Sequence, residues 1–229
     1  MRHSPTDATA RPADAEPSAP ETIQNLAEET GAQDGPFPRL LPWLLLVGGA
    51  AALTAAFVLT VEKIALLKDP AYVPSCSINP VLSCGSVMIK PQAEVFGFPN
   101  PLLGIAAFAI VTTIGAALLA GARFSRWFWL GLQAGVTAGV VFVHWLIFQS
   151  LYTIGALCPY CMLVWAVTIP IFWYVTLYNL AQRNLPVPAG VRRTAGAVTD
   201  YHAVALTIWF LVIITLIGVQ FWSYWNTLV

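Results

Sequence analysis

The sequence predicts an all-α membrane protein with five transmembrane helices, and three observations carry the prediction. Hydrophobic residues make up 58% of the 229-residue chain and charged residues only 10%, against about 25% charged in an ordinary soluble domain. The apolar residues fall into five runs, roughly 40–61, 101–122, 127–151, 157–180 and 203–225. Each is long enough to cross a hydrocarbon core of about 30 Å as a helix. None of the five contains Asp, Glu, Lys or Arg. Backbone groups in lipid must pair within their own segment, which requires helices or a closed barrel. A barrel would read as alternating segments of about ten residues, a pattern this chain lacks.

Residues 1–38 precede the first run. They are rich in Pro, Ala, Glu and Asp and hold seven of the eleven acidic residues. Such a composition buries too little apolar area to offset chain entropy, so a disordered cytoplasmic tail is expected. It has neither the basic start nor the early apolar core of a signal peptide. The first run is therefore expected to remain as a membrane anchor, with residues 39–229 as the membrane domain. Balanced charge, eleven basic against eleven acidic residues, gives no basic stripe for a nucleic acid.

The loop at 62–100 separates the first two runs and carries Cys76 and Cys84; Cys158 and Cys161 open the fourth run. Two further crossings return the chain to the face it left, so both pairs share one face if all five runs span. Loop charge orients that face. Arg39, Arg123, Arg126, Arg183, Arg192 and Arg193 lie on the other side, against Lys63, Lys68 and Lys90 beside the cysteines. Basic residues concentrate in the cytoplasm, which puts the cysteines outside, where disulfides persist. Glu62 and Glu94 read as solvated loop charges.

Within the runs, Trp43, Trp127, Trp129, Trp222, Tyr224 and Trp225 fit aromatic belts at the membrane interfaces. Gly131, Gly135 and Gly139 recur at four-residue spacing, a flat stripe suited to close helix contact inside the bundle. His144 is the one histidine within a run; an intramembrane ionisable group is a candidate for a proton path, but a neutral histidine satisfied by one helix–helix hydrogen bond is the favoured reading. Gln133, Gln149 and Gln220 read as interhelical hydrogen-bonding residues.

Cys158-Pro-Tyr-Cys161 places Pro159 in the first turn of a helix, where its missing N–H costs nothing. Cys158 then stands near the helix N-terminus, where free N–H groups and the dipole stabilise a thiolate. Redox exchange between the pairs is the favoured chemistry. A zinc site held by all four cysteines, two inert structural disulfides in a non-enzymatic membrane protein, and unrelated core thiols are the alternatives. With no dinucleotide fingerprint and no Cys-x2-Cys-His haem site, a lipid-soluble quinone is the simplest electron acceptor.

The segment Cys76-Ser-Ile-Asn-Pro-Val-Leu-Ser-Cys84-Gly-Ser-Val, with Phe96-Gly-Phe-Pro-Asn100 and Cys158-Pro-Tyr-Cys161, resembles the vitamin K epoxide reductase family in its bacterial form, over about residues 40–225. The resemblance implies a four-helix bundle around a quinone of the menaquinone or ubiquinone type, one extra helix, and an extracytoplasmic loop acting as a lid over residues 77–95. It implies a plasma-membrane thiol oxidase that takes electrons from a separate extracytoplasmic thioredoxin-like (DsbA-like) protein, reduces quinone and so supports disulfide formation. By position, Cys76 would meet that partner, Cys84 would exchange with Cys158, and Cys161 would face the quinone. Asn100 matches an asparagine that hydrogen-bonds a quinone oxygen. Phe96, Phe98, Leu102 and Leu103 are read either as lining the quinone pocket or as bundle core, with Phe96 and Phe98 taken as quinone-site candidates. Trp165 stands where animal members carry a quinone-binding tyrosine, and Ser77 where many members carry aspartate.

Overall fold

In the computed structural model, residues 37–186, 188, 199 and 201–226 are described. The tail at 1–38 lies almost wholly outside that set, as do Arg192 and Arg193. The described residues are helical with no strand. Five long apolar helices are present: α1 (Leu40–Lys68), α3 (Asn100–Leu119), α4 (Arg126–Ile154), α5 (Pro159–Ala181) and α6 (His202–Gln220), with a short α2 (Cys84–Met88) in the cysteine loop. Large apolar side chains such as Val47, Phe57, Ile110, Val141 and Leu211 face outward, as lipid-exposed positions do. The protein is an all-helical, five-span chain of the kind its apolar runs predict.

The starts of the runs are close to those expected, but α1 runs seven residues further. Its 29 residues extend about 44 Å at 1.5 Å per residue, more than the hydrocarbon core of about 30 Å. The last turns therefore rise out of the apolar layer and carry Glu62 and Lys63 on a helix rather than in a loop.

Packing follows from small residues. Helices in lipid gain little from hydrophobic burial and associate through close packing. Gly115 of α3 sits against the backbone of Leu45 and Leu46 in α1, and a Cβ on Gly49 would lie 2.7 Å from Thr112 Oγ1. These two glycines let α1 and α3 touch backbone to backbone. α5 packs between α1 and α4, while α3 and α4 scarcely meet. The core joining α1, α3, α4 and α5 includes Leu45, Phe108, Val136, Ile171 and Val175. Asn179 of α5 is fully buried. It donates to Gln133 Oε1 at 3.0 Å and Trp129 O at 3.3 Å, and Gln133 donates to Thr176 Oγ1 at 2.9 Å. Gln133 is thus the interhelical residue expected of it, whereas among the described residues Gln149 and Gln220 bond to no other helix.

Two expectations are corrected, and the two readings of His144 are decided. A Cβ placed on Gly131 or Gly135 would meet no atom within 4 Å, while one on Gly139 would lie 3.6 Å from Thr168 Cγ2 of α5; Gly139 makes the helix contact expected, and Gly131 and Gly135 face open space between α3 and α4. Periodicity identifies a smooth face but not what stands opposite it. Trp129 is buried, with its ring 4.1 Å from that of Tyr178, so it belongs to the core and not to an interface belt. His144 has both ring nitrogens engaged, Nδ1 with Val140 O at 2.8 Å and Nε2 accepting from Trp209 Nε1 at 2.9 Å. It fastens α6 to α4, the interhelical reading of this histidine.

Candidate functional site

The end of α1 organises the cysteine loop from both sides. Glu62 and Lys63, each 7% exposed, are successive residues that hold opposite flanks. The Glu62 carboxylate accepts from Tyr72 Oη at 2.8 Å, from Ser75 Oγ at 2.6 Å and from Ser75 N at 3.3 Å, fixing the stretch of loop just before Cys76. Hydrogen bonding to that carboxylate raises the Tyr72 phenol above its ordinary range. The Lys63 ammonium donates to Met88 O at 2.7 Å and pairs with Glu94 Oε1 at 2.9 Å, fixing the end of α2 and the 3-10 turn Pro91–Glu94. Glu62 is therefore no solvated loop charge, because the helix continues past the membrane boundary and the loop folds back onto it. Glu94 does keep a largely exposed carboxylate, 40% accessible, beside its partner.

The loop interior is built by short side chains. Asn79 Oδ1 accepts from the amides of Val81 and Leu82 at 3.0 and 2.7 Å, an Asx turn. Ser83 caps α2 by accepting from Ser86 N, and Ser77 Oγ accepts from Gly85 N at 3.2 Å. A one-residue parallel bridge then ties the loop to the segment before α5. Leu157 N donates to Val81 O at 2.7 Å and Ser83 N to Leu157 O at 2.9 Å. Cys84 follows Ser83 and Cys158 follows Leu157, so this bridge sets the two cysteines side by side.

Cys76 and Cys84 form a disulfide; Cys158 and Cys161 are thiols. Cys158 Sγ lies 3.0 Å from Cys84 Sγ, and both residues are buried almost completely. Cys158 is the N-cap of α5, with Pro159 at the first helical position, and its sulfur accepts from Cys161 N at 3.5 Å. A hydrogen bond from the Cys161 thiol, helped by the backbone N–H groups of Cys161 and Tyr160, holds the Cys158 thiol below the ordinary range despite its burial. A thiol that ionises more readily than usual, 3.0 Å from a disulfide sulfur, is the starting arrangement for thiol–disulfide exchange. Among the described residues, no group of three or more His, Cys, Asp or Glu side chains stands together as a metal set.

Behind the sulfurs lies an apolar cavity of about 560 Å³ enclosed by α1, α3, α4, α5 and the loop, within the range of small-molecule sites. Cys158, Cys161, Asn100 and Trp165 are on its wall, and Val87, Met88, Gln92 and Ala93 close its loop end. Its side opens between α3 and α4, where Leu103, Ile110, Trp127, Gly131 and Gly135 are at once lining and exposed. Phe96 and Phe98 are not on the wall. They are 57% and 40% exposed, stacked on each other at 6.1 Å, with Phe96 near Phe142. Leu103 lines the cavity and Leu102 does not: along α3 the inward face is Leu103, Gly104, Ala107, Phe108 and Val111, a helical period that turns Leu102 outward.

The polar atoms on this wall are few. Asn100 ties the loop, its Nδ2 donating to Gln92 O at 2.7 Å and its Oδ1 accepting from Val95 N at 3.1 Å; one N–H of its amide remains. Trp165 Nε1 and Gln92 Oε1 are buried without a hydrogen-bond partner, although buried polar groups are ordinarily paired. A largely apolar molecule of small-molecule size fits this wall, beside the two unpaired polar atoms Trp165 Nε1 and Gln92 Oε1. The open N–H of Trp165 and the wall positions of Gln92 and Lys63 were not legible in the sequence, where Trp165 stood out only by its place relative to Cys161.

A family model described as "Vitamin K epoxide reductase family" matches residues 43–176, from α1 through most of α5, which includes all four cysteines. No curated protein matches the chain.

Proposed function

The chain belongs to the vitamin K epoxide reductase family, which makes it a multi-pass membrane oxidoreductase of disulfide and quinone chemistry, and from that premise we propose that it oxidises an extracytoplasmic thioredoxin-like protein and reduces a membrane quinone. The observation that carries the reading is the 3.0 Å separation of Cys84 and Cys158 at the mouth of an apolar cavity whose wall includes Cys161.

A partner thiolate attacks Cys76, and Cys84 leaves as a thiolate. Cys84 attacks Cys158 within the Cys158–Cys161 disulfide, and Cys161 leaves as a thiolate on the cavity wall. The partner's second thiolate completes the partner's own disulfide and frees Cys76, which attacks Cys84, re-forms the Cys76–Cys84 disulfide and expels Cys158 as a thiolate. A bound quinone would supply the sink for two electrons, and the Cys158–Cys161 pair closes to a disulfide as they leave. The observed arrangement, loop disulfide beside a Cys158 thiol, is the same exchange viewed from the other side, since both directions pass through a Cys84–Cys158 disulfide. Trp165 offers an N–H to a carbonyl oxygen, and Gln92 offers an acceptor to the hydroxyl formed on reduction. Asn100 holds the loop end over the ring and keeps one N–H for it. Phe96 and Phe98 serve at the rim of the site, outside its wall. The excess of basic residues in the other loops supports an outward cysteine face and a cytoplasmic N-terminus.

The test supplies dithiothreitol as donor and a short-chain ubiquinone as acceptor. Cys161→Ala should make no quinol; before dithiothreitol is added, its Cys158 thiolate should attack Cys84 of the loop disulfide, release Cys76 and accumulate the Cys84–Cys158 crosslink. Undiminished quinol production by that variant overturns the scheme. A membrane-impermeant maleimide applied from outside should label reduced Cys76, and labelling only from the cytosolic side would reverse the orientation.

A further inference from the structure

Reduction of a quinone consumes two protons as well as two electrons, and in the scheme above Cys161 reaches the cavity as a thiolate, already without its proton. This inference rests on quinone being the acceptor. Among the described residues of the cavity wall, the side chains that exchange protons in water are Cys158, Cys161 and Lys63, and Lys63 is the cationic one, paired with Glu94. His144, the other candidate from the sequence, is not on the wall and has both nitrogens engaged.

Lys63 is placed for delivery. It is 7% exposed. An ammonium has three N–H donors, and two are engaged, with Met88 O at 2.7 Å and Glu94 Oε1 at 2.9 Å. One remains on a side chain that lines the cavity. Glu94, in contact with the ammonium, is 40% accessible and so touches both the buried amine and water. The chain of groups solvent, Glu94, Lys63, cavity is continuous.

We propose that Lys63 is the proton donor for quinone reduction and that Glu94 reloads it from water. The N–H bond of the ammonium breaks as the O–H bond of the quinol forms, while the two electrons come from the Cys158–Cys161 pair, which closes to a disulfide. The amine left behind takes a proton from the Glu94 carboxyl group, which has taken one from water. A second pass along the same groups supplies the second proton. Lysine suits the role because its ammonium, unlike a guanidinium, can give up a proton. Its contacts with Met88 and Glu94 also hold the loop, so the test must separate proton delivery from loop fastening.

Lys63→Arg keeps the cation and its donors but does not release a proton; Lys63→Met removes both. With dithiothreitol and a short-chain ubiquinone, Lys63→Arg should lose about 10²-fold or more in quinol formation, the lower end of a general-acid contribution. Its ubiquinone affinity, read by quenching of tryptophan fluorescence, and its rate of Cys84–Cys158 crosslinking without quinone should stay near wild type. Glu94→Gln should retain the first turnover and slow the later ones. Wild-type quinol formation in Lys63→Arg overturns the inference, as does an equal loss of crosslinking and affinity, which would mark a fastening residue only. A wild-type protein that forms the crosslink but reduces no ubiquinone overturns the quinone reading and this inference together. Turnover in the wild type with no effect of Lys63→Arg overturns this inference alone.

Discussion

Removing the Glu62 carboxylate should loosen the loop in front of Cys76 by a calculable amount. In Glu62→Ala, Tyr72 Oη, Ser75 Oγ and Ser75 N lose their acceptor. A hydrogen bond to a charged group contributes about 1.5–3 kcal/mol when its partner is left stranded in a buried site. Tyr72 and Ser75 are themselves exposed, so water can replace the carboxylate for these donors, and the three bonds together should be worth only about 2 kcal/mol. That is roughly a 30-fold rise in the open population of the loop, taking about 1.4 kcal/mol per factor of ten. Glu62→Gln keeps an acceptor without charge and should fall between wild type and Ala. Hydrogen exchange over residues 69–78, with the Cys76–Cys84 disulfide intact in every sample, reads this directly. The order should be Ala fastest, then Gln, then wild type. Indistinguishable exchange in all three would refute the claim that the end of α1 fastens the loop.

Three other outcomes follow from the geometry. Cys161→Ser keeps a hydroxyl donor to Cys158 and Cys161→Ala does not. The Cys158 thiolate, favoured below the ordinary thiol range, is lost as pH falls through its pKa. Crosslinking to Cys84, followed by gel shift under denaturing conditions, should therefore reach half its maximal rate at a lower pH in the serine variant than in the alanine variant. Gly115→Ala forces a Cβ onto the α1 backbone at Leu45 and Leu46 and should cost about 1–3 kcal/mol; Gly131→Ala, with open space around it, should melt with wild type. Trp165→Phe removes an N–H that is buried and unpaired. Thermal stability should hold or rise, while the KM for ubiquinone should rise about 5- to 10-fold for one lost hydrogen bond of roughly 1–1.5 kcal/mol.

How far the sequence could be read depended on the physics behind each signal. Five helices were legible because lipid leaves an apolar run few other structures. The meeting of Cys84 and Cys158 was foreshadowed by counting crossings, which depends on topology alone. Glu62 and Lys63 were misread because the end of a hydrophobic run marks the membrane boundary and not the helix end. Gly131 and Gly135 were misread because a small-residue stripe serves a cavity as well as a helix contact. Gly49 and Gly115, the true contact glycines, lie on two different helices, so no spacing within one segment reveals them. Asn179 escaped notice as one polar residue in a long apolar run, although a buried amide in lipid must find partners. Phe96 and Phe98 were candidates for the wall as apolar residues of the loop end that leads into α3. The turn at Gly97, with φ of +79°, separates them from the inward face of α3.

The doorway between α3 and α4 looks into the bilayer and not into water. A hydrophobic reactant entering there is presented at its mole fraction among the lipids, which can exceed its bulk aqueous level by orders of magnitude. Apparent saturation would then vary with the amount of detergent or lipid added to dilute it. Kinetic constants for this protein acquire meaning only when expressed per surface, and two preparations differing in nothing but micelle content would look like two different enzymes.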